Sequence, residues 1–165
     1  MGRKKTLREK ILNYLENHAS VSLDELAVLI GEDEESVKAE VKAMEAENII
    51  SGYTTLINWE KLGVEKVTAM IEVRVTPQHG MGFDRIAILI YSYPEVSSVY
   101  LISGSCDLMV TIEGKTLREV SSFVTEKLST LESVISTQTN FILKKYKDHG
   151  IVMAEEKKDN REMMT

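Results

Sequence analysis

Residues 99–112 constrain this chain more than any other stretch. Val99 and Leu101 fall on one face of an extended segment, Tyr100 and Ile102 on the other. After Ser103-Gly104-Ser105-Cys106-Asp107, the residues Leu108, Val110 and Ile112 alternate with Met109 and Thr111. Alternation with period two on both sides of a Ser/Gly/Asp break is the pattern of a β-hairpin: Gly104 tolerates a positive φ, and Ser and Asp bond their own backbone. Both faces are largely apolar, whereas a sheet with one wet face shows a cleaner alternation. The hairpin is therefore expected to lie under helices on one face and against a second subunit on the other.

Upstream, the apolar spacing becomes helical. Leu7, Ile11 and Leu15, with Tyr14, make a stripe over residues 6–17. Ser22-Leu23-Asp24-Glu25 has the form of a capping box and opens a short helix with Leu23, Leu26, Ala27 and Ile30, stopped by Gly31. Asp33 is placed to cap a third helix with Val37, Val41 and Met44 at i, i+4 and i+7, which Asn48 ends before an extended run through Ile57. Helix, capped short helix, glycine turn, helix, strand is the order of a helix-turn-helix with a small wing. Any small three-helix bundle shows the same stripes, so this pattern alone leaves both open.

Residues 58–63, Asn-Trp-Glu-Lys-Leu-Gly, read as part of a linker. A strand follows over 65–75, with Val67, Ala69, Ile71, Val73 and Val75 on one side. A Pro/Gly loop at 77–82 leads to a helix marked by Phe83, Ile86 and Ile90; the hairpin comes next. Thr116 caps a helix with Leu117, Val120, Val124, Leu128 and Leu131, and residues 134–146 read as one long last strand. The order β-α-β-β-α-β is the ferredoxin-like split arrangement, with two helices on one face of an antiparallel sheet. Met70, Tyr100, Ile102 and Met109 are expected on the other face, and pairing with a twin sheet would bury them in a two-fold dimer. The expected fold class is α+β: a winged helix-turn-helix domain over 1–50, a strand linker over 51–63, a ferredoxin-like domain over 64–150 and a charged tail over 151–165, of which 154–165 lack any core stripe.

In this order the chain resembles the Lrp/AsnC, or feast/famine, family of transcriptional regulators. The resemblance covers roughly residues 6–148. It rests on Ile49-Ile50-Ser51-Gly52-Tyr53 running into Leu56-Ile57-Asn58 and Lys61-Leu62-Gly63, on Ser103-Gly104-Ser105-Cys106-Asp107 at the place of the family's Gly-x-x-Asp loop, and on Ser136-Thr137-Gln138-Thr139. It implies a homodimer assembling to a tetramer or octamer, double-stranded DNA as partner, and a small effector, an amino acid, held between dimers. Carried over by position, Ser103, Gly104, Ser105, Cys106 and Asp107 line the effector site, and Thr137 and Thr139 add hydroxyls. The chemistry suits a zwitterion: a carboxylate for its ammonium group, and backbone N–H groups and hydroxyls for its carboxylate. The other reading of Asp107 is that it merely stabilises the turn. Ser105 and Cys106 stand where the family often has an acidic and an aromatic residue.

The resemblance also makes the third helix the one that meets DNA, and there the charge is unexpected. Residues 32–47 hold seven acids against Lys38 and Lys42, and Ala39, Glu40 and Ala43 stand where relatives tend to carry Arg or Lys. Acids in a first helical turn suit the helix dipole, but they repel phosphates. The expected DNA contacts are Ser36, Lys38 and Lys42 on this helix and Lys5 and Arg8 on the first, with Arg3, Lys4 and Lys10 also in reach of the backbone. The alternative is an effector-sensing assembly that has weakened or lost DNA binding.

Other classes find less support. With a net charge of −6 and 28% charged residues, the composition is that of a water-soluble globular chain, and no run of about 18 apolar residues is present. The basic start lacks an apolar stretch and is not read as a signal peptide. The single Cys106 forms no intrachain disulfide, in keeping with a cytoplasmic protein. His18, His79 and His149 lie in separate segments without metal-ligand spacing, so no metal is expected. His79-Gly80-Met81-Gly82 lacks the spacing of a phosphate cradle, no Walker or Rossmann motif is present, and neither cofactor nor catalysis is expected. Some proteins of related architecture are sirohaem decarboxylases, a chemistry that calls for His or Arg where this hairpin offers Ser, Cys and Asp.

Overall fold

The computed structural model describes residues 5–77 and 82–153. The chain divides into two compact units, Met1–Leu56 and Ile57–Thr165. Arg3, Lys4, most of the expected Pro/Gly loop including His79, and the expected tail 154–165 lie outside the described residues.

The first unit is three helices: α1 (Leu7–Leu15), α2 (Leu23–Ile30) and α3 (Glu34–Ala46). The apolar stripes meet as their spacing requires: Ile11, Leu15, Leu26, Ala27, Val37, Val41 and Met44 form one buried cluster. Ala27 is small where the helices crowd, and Gly31, at φ 68°, takes the left-handed turn that ends α2. Asp33 caps α3 by accepting the Ser36 N–H at 3.0 Å. The capping box, however, is not at Ser22. Ser22 makes no side-chain cap bond; its hydroxyl goes to the Asp24 carboxylate and holds that carboxyl below its ordinary pKa. The box forms instead at the start of α1, where Thr6 Oγ1 accepts the Glu9 N–H (3.3 Å) and Glu9 Oε2 accepts the Thr6 N–H (2.7 Å). After α3, Asn48 sits at φ 55°, and residues 51–58 run on without a strand partner among the described residues.

The second unit starts within the expected linker. Asn58 accepts the Lys61 N–H (3.2 Å) at the head of a 3-10 turn, Glu60–Leu62, and donates its amide to the Met153 carbonyl (3.1 Å). Residues 58–63 are thus a folded part of this unit, tied to its far end, and not a strand. Next come β1 (Val67–Val75), α4 (Asp84–Tyr91), β2 (Val96–Leu101), β3 (Leu108–Gly114), α5 (Leu117–Phe123) and β4 (Val134–Phe141). The sheet order is β2-β3-β1-β4, antiparallel throughout, which is the ferredoxin-like arrangement. Ala69, Ile71, Val73 and Val75 of β1, with Leu108, Val110 and Ile112 of β3, pack under Ile86 and Ile90 of α4 and Val120 and Phe123 of α5.

Four details differ from the expected pattern. The helix after Thr116 loosens to a π-helical turn over Val124–Leu128, with the Ser129 N–H reaching back to the Val124 carbonyl. The last strand stops at Phe141, opposite Ala69, although β1 runs on to Val67 and the Ile142 N–H still donates to the Thr68 carbonyl (2.9 Å). Residues Lys147–Asp148 then pair with Ile151–Val152 as a short hairpin, β5 and β6, so the start of the expected tail is folded. The outer face of the sheet is more polar than the hairpin suggested. Met70, Tyr100 and Met109 share it with Glu72, Arg74, Ser98, Thr111, Ser136, Gln138 and Asn140.

Candidate nucleic-acid interface and effector loop

The side of α3 turned away from Val37, Val41 and Met44 carries Glu35, Ala39, Lys42 and Ala46, at i, i+4, i+7 and i+11, and all four are exposed. The acids that made this helix look hostile to phosphates lie mostly on its flanks. On the α1 side, the Arg8 guanidinium donates to Glu40 and, at 2.7 and 2.9 Å, to both oxygens of Glu47. The pair raises the Arg8 pKa beyond its ordinary value and holds the Glu47 carboxyl below its own. Lys10 on α1 meets Glu32 at 2.5 Å. On the other flank, Lys38 bonds Glu34 one turn back, and Glu45 accepts the Tyr53 hydroxyl at 2.8 Å. Asp33 is occupied by its cap. Among the described residues, Glu35 and Lys42 make no ion pair.

The five residues expected at DNA therefore part company. Ser36, Lys38 and Lys42 lie exposed along α3, but the Ser36 hydroxyl donates to Asp33 (3.1 Å) and Lys38 is held by Glu34. Lys5 is exposed just before α1. Arg8 is engaged inside the unit, clamping α1 to α3. The Arg8 clamp was not visible in the sequence, since its partners stand 32 and 39 positions away.

In the second unit the loop between β2 and β3 bends over the C-terminal end of β1. The Ile102 N–H donates to the Asp107 carbonyl (3.0 Å), and the Asp107 N–H to the Val73 carbonyl (3.1 Å). Asp107 Oδ2 accepts the Val75 N–H at 2.9 Å, where β1 leaves the regular ladder. Asp107 thus holds the sheet as well as the turn. Arg74, which the sequence reading passed over, donates from Nε to the Ser105 carbonyl at 2.8 Å and brings a cation to the loop. Cys106 is buried beneath it, while Ser103, Gly104 and Ser105 are exposed. Gly104 does not use its freedom for a positive φ, and an added Cβ would meet nothing within 4 Å, so the space over its backbone is open.

Thr137 and Thr139 pair with Val73 and Ile71, so both face the helix side of the sheet. Val73 is flanked by Leu108 on one side and Thr137 on the other, which places their Cα atoms about 10 Å apart. The loop and Thr137 therefore share one end of the sheet, with the Ser129 hydroxyl 3.4 Å from that of Thr137. Thr139 lies about 7 Å further along the strand. Among the described residues, the best-formed clefts are lined elsewhere than by residues 103–107.

Comparison with known proteins gives a consistent result. Residues 68–152 match the Lrp/AsnC ligand binding domain. The chain is 46% identical over 153 residues, 92% of each chain, to an uncharacterized HTH-type transcriptional regulator of Bacillus subtilis, YugG. It is 29% identical to the proline dehydrogenase transcriptional activator of Rhodobacter capsulatus, over 79% of this chain and 84% of that one. Among solved structures, a transcriptional regulator from Neisseria meningitidis in complex with L-methionine superposes with a TM-score of 0.70 at 22% identity, covering 88% of this chain and 94% of the other.

Proposed function

The chain belongs to the Lrp/AsnC family of transcriptional regulators, and we propose that it binds double-stranded DNA through its first unit and an amino acid through the 103–107 loop of its second. It acts in the cytoplasm as a homodimer that assembles further, to a tetramer or octamer. No catalytic step enters this reading. The observation that carries it is agreement with an HTH-type regulator along nearly the whole chain, at an identity well above that needed to share a fold. Support for the amino acid comes from two relatives, one named for proline dehydrogenase activation and one solved with L-methionine. The loop's own chemistry agrees: Asp107 suits an ammonium group, and Arg74 and the open backbone at Gly104 suit a carboxylate, while the Thr137 hydroxyl lies at the same end of the sheet on its helix side.

Loss of DNA binding is the less favoured reading, since the acids behind it are largely neutralised by Arg8, Lys10 and Lys38. The test is retardation of DNA from upstream of the protein's own gene by the purified chain at low salt. The joint change Lys38→Ala and Lys42→Ala is expected to weaken retardation. Indifference to it would remove α3 from the interface.

A further inference from the structure

From the faces of α3 we infer that Glu35 is a specificity-determining residue: its carboxylate accepts the exocyclic amino group of a cytosine in the major groove. Ala39 lies against the neighbouring bases, and Lys42 meets a phosphate. The inference rests on the DNA reading above and goes beyond it, to the residues that choose the sequence. Glu35, Ala39, Lys42 and Ala46 form the one stripe of α3 directly opposite its core residues, so this face leads any entry into a groove. The alanines leave little bulk between the helix and the groove floor. Of the seven acids in residues 32–47, the other six have partners or a cap inside the unit. The Glu35 carboxylate makes no hydrogen bond or ion pair among the described residues, and Glu35 stands in the first turn, the part of a recognition helix that reaches base edges.

A carboxylate there carries only acceptors. The major-groove edge of guanine (N7 and O6) offers only acceptors and repels it; cytosine N4 offers a donor with no acceptor beside it on the same base, whereas the N6 donor of adenine lies next to its N7 acceptor and suits a carboxylate less. Unmatched, the charge lies in the field of the phosphates and weakens binding. Glu35 therefore selects by penalising every site that lacks the amino group. Lys42, nearly two turns further along, is the unpaired cation of the stripe and leaves the groove floor toward the backbone.

The test is selection of bound duplexes from a random-sequence pool by the full chain and by Glu35→Ala, Glu35→Gln and Lys42→Ala. Both positions are exposed, and unchanged thermal unfolding checks that the variants fold. The wild type is expected to select a cytosine at one position of each half-site. Glu35→Ala should lose that preference, with its ratio of selected to unselected affinity falling about tenfold and its affinity for unselected DNA rising. Glu35→Gln, which can also donate, should relax the choice rather than restore it. Lys42→Ala should weaken all sequences alike and lower the salt slope by about one per contact. A Glu35→Ala variant that selects the wild-type sequence with the wild-type ratio overturns the inference and leaves DNA binding standing. A wild type that retains no duplex at low salt overturns both.

Discussion

At the residue scale, several side chains have structural tasks that can be separated from their proposed ones. Asp107 is the clearest. Its Oδ2 accepts the Val75 N–H, so Asp107→Ala removes a fold contact and a ligand contact together. Asp107→Asn keeps an oxygen for that N–H but loses the charge. The asparagine variant is expected to unfold within about 0.5 kcal/mol of wild type while its calorimetric affinity for the amino acid falls tenfold or more. Equal affinity in the two proteins would leave Asp107 a purely structural residue. Gly31 is the opposite case: at φ 68° it serves the fold of α2 alone, and Gly31→Ala should cost about 1–2 kcal/mol in denaturant unfolding. The same change at Gly104 should leave stability unaltered, because its φ and its surroundings admit a methyl group, and should show only in effector binding.

At the scale of elements, what was legible in the sequence was what periodicity reports, namely burial. The stripes Leu7/Ile11/Leu15 and Val37/Val41/Met44, and the alternation of Ala69, Ile71, Val73 and Val75, all point inward as read. Caps were legible where one side chain has one natural partner, as at Asp33 and Thr116. They misled where two polar neighbours compete, as when the Ser22 hydroxyl turned to Asp24. The end of β4 was hidden because composition does not set where pairing stops: residues 142–146 kept their β-forming composition, yet the strand ends at Phe141 with only the Ile142 N–H still bonded to β1, at Thr68. The character of α3 was hidden for a related reason, since net charge does not say which face it occupies. That pairing has a consequence for pH. Glu47 and Asp33 both have carboxyl pKa values held below ordinary, by the Arg8 guanidinium and by the Ser36 N–H respectively. Each binds its proton more readily in the unfolded chain, so their contribution is fully present above pH about 4.5 and lost as pH falls through the lower folded values. Acid unfolding of the chain, followed by helix content, should steepen below that point. Arg8→Ala should flatten the Glu47 part of the curve, and a profile unchanged by Arg8→Ala would contradict the clamp.

At the scale of the molecule, the proposed reading divides the work between two units: three helices with an outward stripe, and a sheet with an exposed loop. The exposed Met70 and Tyr100 on the sheet's outer face fit the proposed assembly, although the polar residues around them make the face less apolar than the hairpin alone implied. The protein is expected to sediment as a dimer or larger at micromolar concentration. An amino acid at a hundredfold excess over its Kd should stabilise it by about 2.7 kcal/mol in thermal unfolding. A flat response to every common amino acid would remove the sensor from the account. The most direct measurement titrates one stabilising amino acid into the full chain, free and then saturated with its selected DNA. A regulator must couple its two ligands, and coupling is reciprocal. The account predicts that DNA changes the amino acid's affinity, and that the amino acid changes the DNA's affinity by the same factor. Affinities in each titration that ignore the other ligand would contradict it.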